Sequence, residues 1–190
     1  MRSLIIRTGL AATLLLAAAC DKADTPADGN APASEEAADA AGNATIADGL
    51  AGNAAGGKFL AAAKSVGLDQ TLDGPGPYTV LVPSDAAFDK LPAGALDALM
   101  KPESRAQLTG VLTYHILPGT ILAADIAKAI DNGKGKAVLA TMGGATITAT
   151  KDGDSIVLAN SAGTKAVITG AEDRRSNGVV HQIDSVLMPS

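Results

Sequence analysis

The chain has 190 residues, of which 47% are hydrophobic but only 2% aromatic, with no Trp and a formal net charge of −5. That length holds one domain of ordinary size plus an accessory segment, with a core built from Ala, Leu, Val and Ile. So few rings exclude a stacking platform for sugars or bases, and so few Lys and Arg argue against nucleic acid as a partner, since phosphate counterions need cations to replace them.

The first twenty residues carry an export signal. Arg2 and Arg7 form a positive start, Leu10 to Ala19 an apolar stretch, and Ala17-Ala18-Ala19 a run of small residues suited to cleavage. The stretch is about half the ~20 residues that span a bilayer, which argues against a permanent anchor. Cys20 follows and is the only cysteine, so no internal disulfide exists. The run Leu14-Leu-Leu-Ala-Ala-Ala-Cys20 resembles the signal and lipobox of bacterial lipoproteins, with Ala17 in place of the usual Leu. The resemblance implies cleavage after residue 19 and a thioether-linked diacylglycerol on Cys20, a membrane tether through several acyl chains, palmitate among the candidates. Plain secretion and an uncleaved anchor stay open beside it. Asp21 resembles an inner-membrane retention signal of some enterobacterial lipoproteins, but the membrane is left unassigned.

Residues 21–44 contain no Leu, Ile, Val, Met or aromatic residue, and hold nine Ala, two Pro, six acids and one Lys. Such a segment buries too little apolar surface to offset its ordering entropy, so residues 20–44 read as a lipidated Cys and a disordered acidic spacer. Residues 45–190 are nearly balanced, with 12 basic and 14 acidic side chains.

That domain opens with a short helix near Thr45–Leu50. Phe59, Ala62, Ala63 and Val66 then recur at helical spacing up to Gly67, and Leu68 and Leu72 pack the exit. Gly74-Pro75-Gly76-Pro77 turns the chain into a strand from Tyr78 to Val82. Pro83 stops it, Ser84 or Asp85 caps a helical turn carrying Phe88 inward as a plug between helices and sheet, and Leu91-Pro92 ends the turn. A helix around Ala95–Leu99 follows. Pro102 starts the next, with Leu108, Val111, Leu112 and His115 on its buried face, and Pro118-Gly119 closes it. After residue 120 the pattern changes. Ile121, Leu122 and Ile126 lead past Asp131-Asn132-Gly133 into short strands at 137–140, 145–150, 155–158, 165–169 and from Val179, separated by Gly143-Gly144, Asp152-Gly153 and Asn177-Gly178 turns. Helices first and mainly antiparallel strands afterwards define an α+β domain.

Little chemistry is available. His115 and His181 are the only histidines, and no H-x-x-x-H, C-x-x-C, phosphate loop or G-x-S-x-G elbow is present. Asp152 and Asp154 fall far short of a calcium ligand set. No metal or cofactor is expected. His181 shares a strand face with Val179 and Ile183, which predicts a buried imidazole hydrogen-bonded to backbone. Arg174-Arg175 reads as a solvated pair in a loop.

Three stretches together resemble the fasciclin domain over residues 45–189: Thr79-Val-Leu-Val-Pro-Ser-Asp-Ala-Ala-Phe88, Leu112-Thr-Tyr-His-Ile-Leu-Pro-Gly119, and Asn177-Gly-Val-Val-His-Gln-Ile-Asp-Ser-Val-Leu187. The resemblance marks Thr79, Pro83, Ser84, Phe88, Asn177, Gly178, His181 and Asp184 as structural motif residues. It implies a bundle of short helices packed on a twisted β-wedge, and adhesion or matrix interaction outside the cytoplasm. Some members bind through a tyrosine–histidine pair with branched apolar neighbours, which by position is Tyr114 and His115 with Leu112, Ile116 and Leu117. The expected function is envelope-tethered interaction with an unidentified protein or matrix partner and no catalysis. The alternatives are a small-molecule or glycan carrier, which needs an apolar cavity, and a hydrolase, which needs a histidine open to solvent beside Ser or Asp.

Overall fold

The computed structural model describes residues 43–53 and 56–189. The leader, Cys20 and the spacer up to residue 42 lie outside the described residues.

Helix α1 (Ile46–Gly52) starts at a reciprocal cap: Thr45 Oγ1 accepts the Asp48 N–H at 3.2 Å while the Asp48 carboxylate accepts the Thr45 N–H at 3.1 Å. Helix α2 (Gly57–Val66) buries Phe59, Leu60, Ala62 and Ala63 and ends at left-handed Gly67. A single turn, α3 (Asp69–Asp73), carries Leu72 inward and leads through the Gly-Pro turn into β1 (Tyr78–Pro83). Ser84 caps α4 (Asp85–Asp89) by accepting the Ala87 N–H at 3.2 Å. Then come α5 (Ala95–Leu99), a 3₁₀ turn begun by Pro102, and α6 (Arg105–Tyr114). The second half comprises β2 (Ile116–Pro118), α7 (Ala123–Asn132), β3 (Ala137–Ala140), β4 (Thr146–Asp152), β5 (Ser155–Ala159), β6 (Lys165–Arg175) and β7 (Gly178–Ile183).

The strands form one sheet in the order β2-β1-β7-β6-β5-β4-β3. Its pairings are antiparallel except for β1 with β7, which run parallel from Tyr78 opposite Gly178 to Pro83 opposite Ile183. The sheet is therefore mixed at its centre. It curls until its ends meet, where the Met142 N–H donates to the Ile116 carbonyl at 2.8 Å. Alternation along β1 and β7 then serves two cores. Val80, Val82 and Val180 face the helices with Phe59, Leu72, Phe88 and Leu112, whereas Leu81 and Ile183 face a second cluster with Ile126, Ile147 and Leu158. A central strand covered on both faces loses the polar-out pattern of an exposed one.

Three expectations need correction. The stretch after Leu122 is a ten-residue helix, not a lead into strands: Ile126 and Ile130, four residues apart, bury one stripe, and alanine supplies the helical preference between them. Strand β6 runs to Arg175, past a register shift between Thr169 and Asp173, because pairing with β7 resumes there. Arg174 and Arg175 consequently lie in a strand and not in a loop. Both are half-buried and ion-paired within it, Arg174 Nε to Glu172 at 2.8 Å and Arg175 to Asp173 at 2.7 Å.

Candidate functional site

The motif residues of the sequence meet at the β1–β7 pair. Arg175 pairs with Gly178, so Ser176-Asn177 form a two-residue hairpin loop. The Asn177 side chain points inward and joins three segments. Its Oδ1 accepts the Ile46 N–H at 2.8 Å, and its Nδ2 donates to the Leu72 and Gly74 carbonyls at 2.8 and 2.9 Å. Gly178 holds φ at 151°, and a Cβ there would collide with the Tyr78 carbonyl of the neighbouring strand.

One step along the same strands, Thr79 Oγ1 donates to the Gly119 carbonyl at 2.7 Å and accepts the Ile121 N–H at 2.8 Å. His181 Nε2 donates to the Ile121 carbonyl at 2.8 Å. Glu172 accepts the Ala123 N–H at 2.7 Å, in the first turn of α7. Burial alone pushes the Glu172 pKa up, but the Ala123 N–H and the Arg174 guanidinium outweigh it and hold the carboxyl below its usual range. Together these groups fix the link 119–123 between β2 and α7. Asp184 ends β7 by accepting the Val167 N–H at 2.8 Å, with Lys90 beside it. Pro83 ends β1, and Phe88 sits in the helix-side core.

The stretch marked for interaction behaves likewise. Leu112, Tyr114, His115, Ile116 and Leu117 are all at most 2% exposed. As side chains they belong to the core. The reason is placement: α6 turns directly into β2, so both strand faces and the last helical turn are enclosed. Tyr114 donates its hydroxyl to the Thr146 carbonyl at 2.9 Å, and burial pushes its pKa up. His115 Nδ1 donates to the Val111 carbonyl at 2.7 Å, while its Nε2 accepts the Leu187 N–H at 3.2 Å. Burial pulls its pKa down to about 4, although the bond to Val111 opposes this. Glu172 and the Leu187 amide were not singled out by the sequence, because each acts across a long stretch of chain on a backbone atom and carries no local pattern.

Neither histidine stands open beside Ser or Asp, the arrangement a hydrolase needs. Among the described residues no group of three or more His, Cys, Asp or Glu is placed to hold a metal. The apolar crevice under the helices, walled by Phe59, Phe88, Leu99, Leu108 and Val186, has room of only ≈ 10 Å³. That is at the limit for one water and far below the ~300 Å³ of a small-molecule site. A larger, open cleft of ≈ 490 Å³ lies between Asp73, Pro75, Pro77, Thr120 and Arg175, where the chain enters the domain.

A helix bundle on a curled mixed sheet, with its polar motif residues turned inward to clamp the backbone, defines the scaffold. The sequence profile of the Fasciclin domain matches residues 57–189, and the chain belongs to that family. It is 37% identical over 146 residues to Protein sll1483 of Synechocystis sp., covering 76% of this chain and 73% of that protein. It is 36% identical over 124 residues to the cell surface glycolipoprotein MPB83 of Mycobacterium bovis, covering 65% of this chain and 49% of that one. Among solved structures it resembles a FAS1 domain pair from the insect cell adhesion molecule Fasciclin I, with a TM-score of 0.68 at 18% identity, over 76% of this chain and 51% of that pair.

Proposed function

We propose that this is a lipid-tethered protein of the bacterial envelope whose fasciclin domain, residues 45–190, acts by protein or matrix interaction without catalysis. The observation that carries the reading is that the polar motif residues Thr79, His115, Asn177 and His181 spend their hydrogen bonds on the chain's own backbone. Groups so occupied build a scaffold and leave recognition to the exposed surface. The extracytoplasmic location is supported by the export leader and by the cell-surface description of the mycobacterial relative. The tether rests on the leader, the small residues and the lone Cys20. The carrier reading is disfavoured by the ≈ 10 Å³ crevice.

Two measurements test the proposal. Wild-type protein should fractionate with membranes and carry the mass of a diacylglycerol, and Cys20→Ser should be soluble or retain its leader. A Cys20→Ser protein that fractionates like wild type with no change in lipid mass overturns the tether. Envelope extract passed over the folded domain should yield a partner whose binding survives changes at His115 or His181 that leave the fold intact. Loss of binding or of a substrate turnover in a variant as stable as wild type would make that histidine the first residue of an active or binding site.

A further inference from the structure

His115 closes α6, and its ring is 1% exposed, edge-on to Phe59 at 6.1 Å and to Tyr114 at 6.3 Å. Because Nδ1 carries its hydrogen toward the Val111 carbonyl, Nε2 is the ring's one acceptor, and it holds the Leu187 N–H from 72 residues away. Leu187 belongs to the segment that follows β7. That segment is pinned at both ends, by Asp184 on Val167 and Lys90, and by the Met188 carbonyl accepting from Asn160 Nδ2 at 2.6 Å. Between the pins, Val186 and Leu187 are buried, and Val186 roofs the apolar crevice.

We propose that His115 is an acid-released latch: a proton added at Nε2 ejects the Leu187 amide and lifts residues 185–187, taking Val186 out of the helix-side core and Leu187 out of the second cluster, while the sheet stays folded. A protonated Nε2 is a donor aimed at another donor, so the 3.2 Å contact cannot survive. The cation would also sit among apolar groups. Val111 and Leu112 of its own helix, Phe59 of α2, and Phe88, Leu99 and Val186 around the crevice carry no charge. Tyr114 has spent its hydroxyl on Thr146, and its pKa lies raised, away from acid. The charged groups on the segment are at its far end. Burial pushes the Asp184 pKa up, but the Val167 N–H, the Ser185 hydroxyl and Lys90 together outweigh it and hold the carboxyl below its usual range.

Lifting the segment admits water, which relieves the burial that pulls His115 to about 4 from an ordinary 6.5. Opening therefore becomes easier by about tenfold per pH unit as pH falls from ~6.5 toward 4. It uncovers Phe59, Phe88, Leu99 and Leu108, an apolar face available only in acid.

Amide hydrogen exchange on the full chain between pH 7 and 4.5, expressed as protection relative to the intrinsic rate, tests this. Expected is a fall in protection at Leu187 of about tenfold per pH unit, from a level well below that of Val80 and Val180, whose exchange follows global unfolding. His115→Gln, which cannot titrate, should abolish the slope. If that variant does not fold, the wild-type ring and Leu187 amide resonances should titrate together by NMR. Protection at Leu187 that stays flat, or that equals that of Val80 and Val180 at every pH, overturns the latch.

Discussion

At the scale of single residues, the polar side chains at the centre matter through what they leave unpaired when removed. His181→Ala orphans the Ile121 carbonyl and opens a cavity, and should cost roughly 1–3 kcal/mol in denaturant unfolding at neutral pH. Arg174→Ala breaks one half-exposed ion pair and should cost within about 1 kcal/mol. Equal losses at the two positions would remove the distinction between core and surface. The pH dependence belongs to His115. Its folded pKa lies below the unfolded value, so between about 4 and 6.5 the unfolded chain binds the extra proton. The ring's contribution is full above ~6.5 and is lost as pH falls toward 4, by at most about 3 kcal/mol, since opening of 185–187 caps the loss. Unfolding at pH 7 and 4.5 should show this fall in wild type and a smaller one in His115→Gln. Sequence reading placed both imidazoles in the core from the face each shares with apolar neighbours. It did not reveal that one nitrogen of His115 serves the chain terminus, because that bond depends on tertiary position alone.

Among elements, those with a large apolar residue every third or fourth position, or with Gly-bounded β-branched runs, were legible. Helix α2, strand β3 and the Ser84-capped turn lie where the residues place them. Helix α7 was not legible because alanine fills it with helix-favouring residues that leave only Ile126 and Ile130 as a pattern. The far half of β6 was hidden by its charges. Asp173 to Arg175 have β7 on one side and no β5 partner on the other, and charge on such an open edge discourages pairing with other chains. The β1–β7 register depends on Gly178, whose missing Cβ lets Tyr78 approach. Gly178→Ala should cost at least about 3 kcal/mol or prevent folding, whereas alanine at Gly52, which faces open space in a helix, should be neutral or mildly stabilising. Thermal melts of the two variants decide it, and similar midpoints would show that the strand approach is less tight than described.

For the whole molecule, the division into leader, spacer and domain was read from composition and makes its own prediction. Chains beginning at residues 21 and 45 should unfold within about 1 kcal/mol of each other, because the tie of the described part to residue 44 is a carbonyl accepting from Ser176. A larger loss on trimming would mean that the spacer packs on the domain. The partner was not legible at all, since the residues that make the family recognisable are the ones enclosed by the fold.

The parallel pairing of β1 with β7 has a further consequence for the order in which the domain can be completed. The two central strands lie roughly a hundred residues apart, and β7 comes last of the domain's strands in chain order. Until it arrives, β1 has only the three-residue β2 beside it, and the long loop must close before either core forms. The domain is thus unable to lock its fold until β7 has reached β1. A chain cut before Gly178 should remain protease-sensitive throughout, and completion of the last dozen residues should switch the whole domain to resistance in one step.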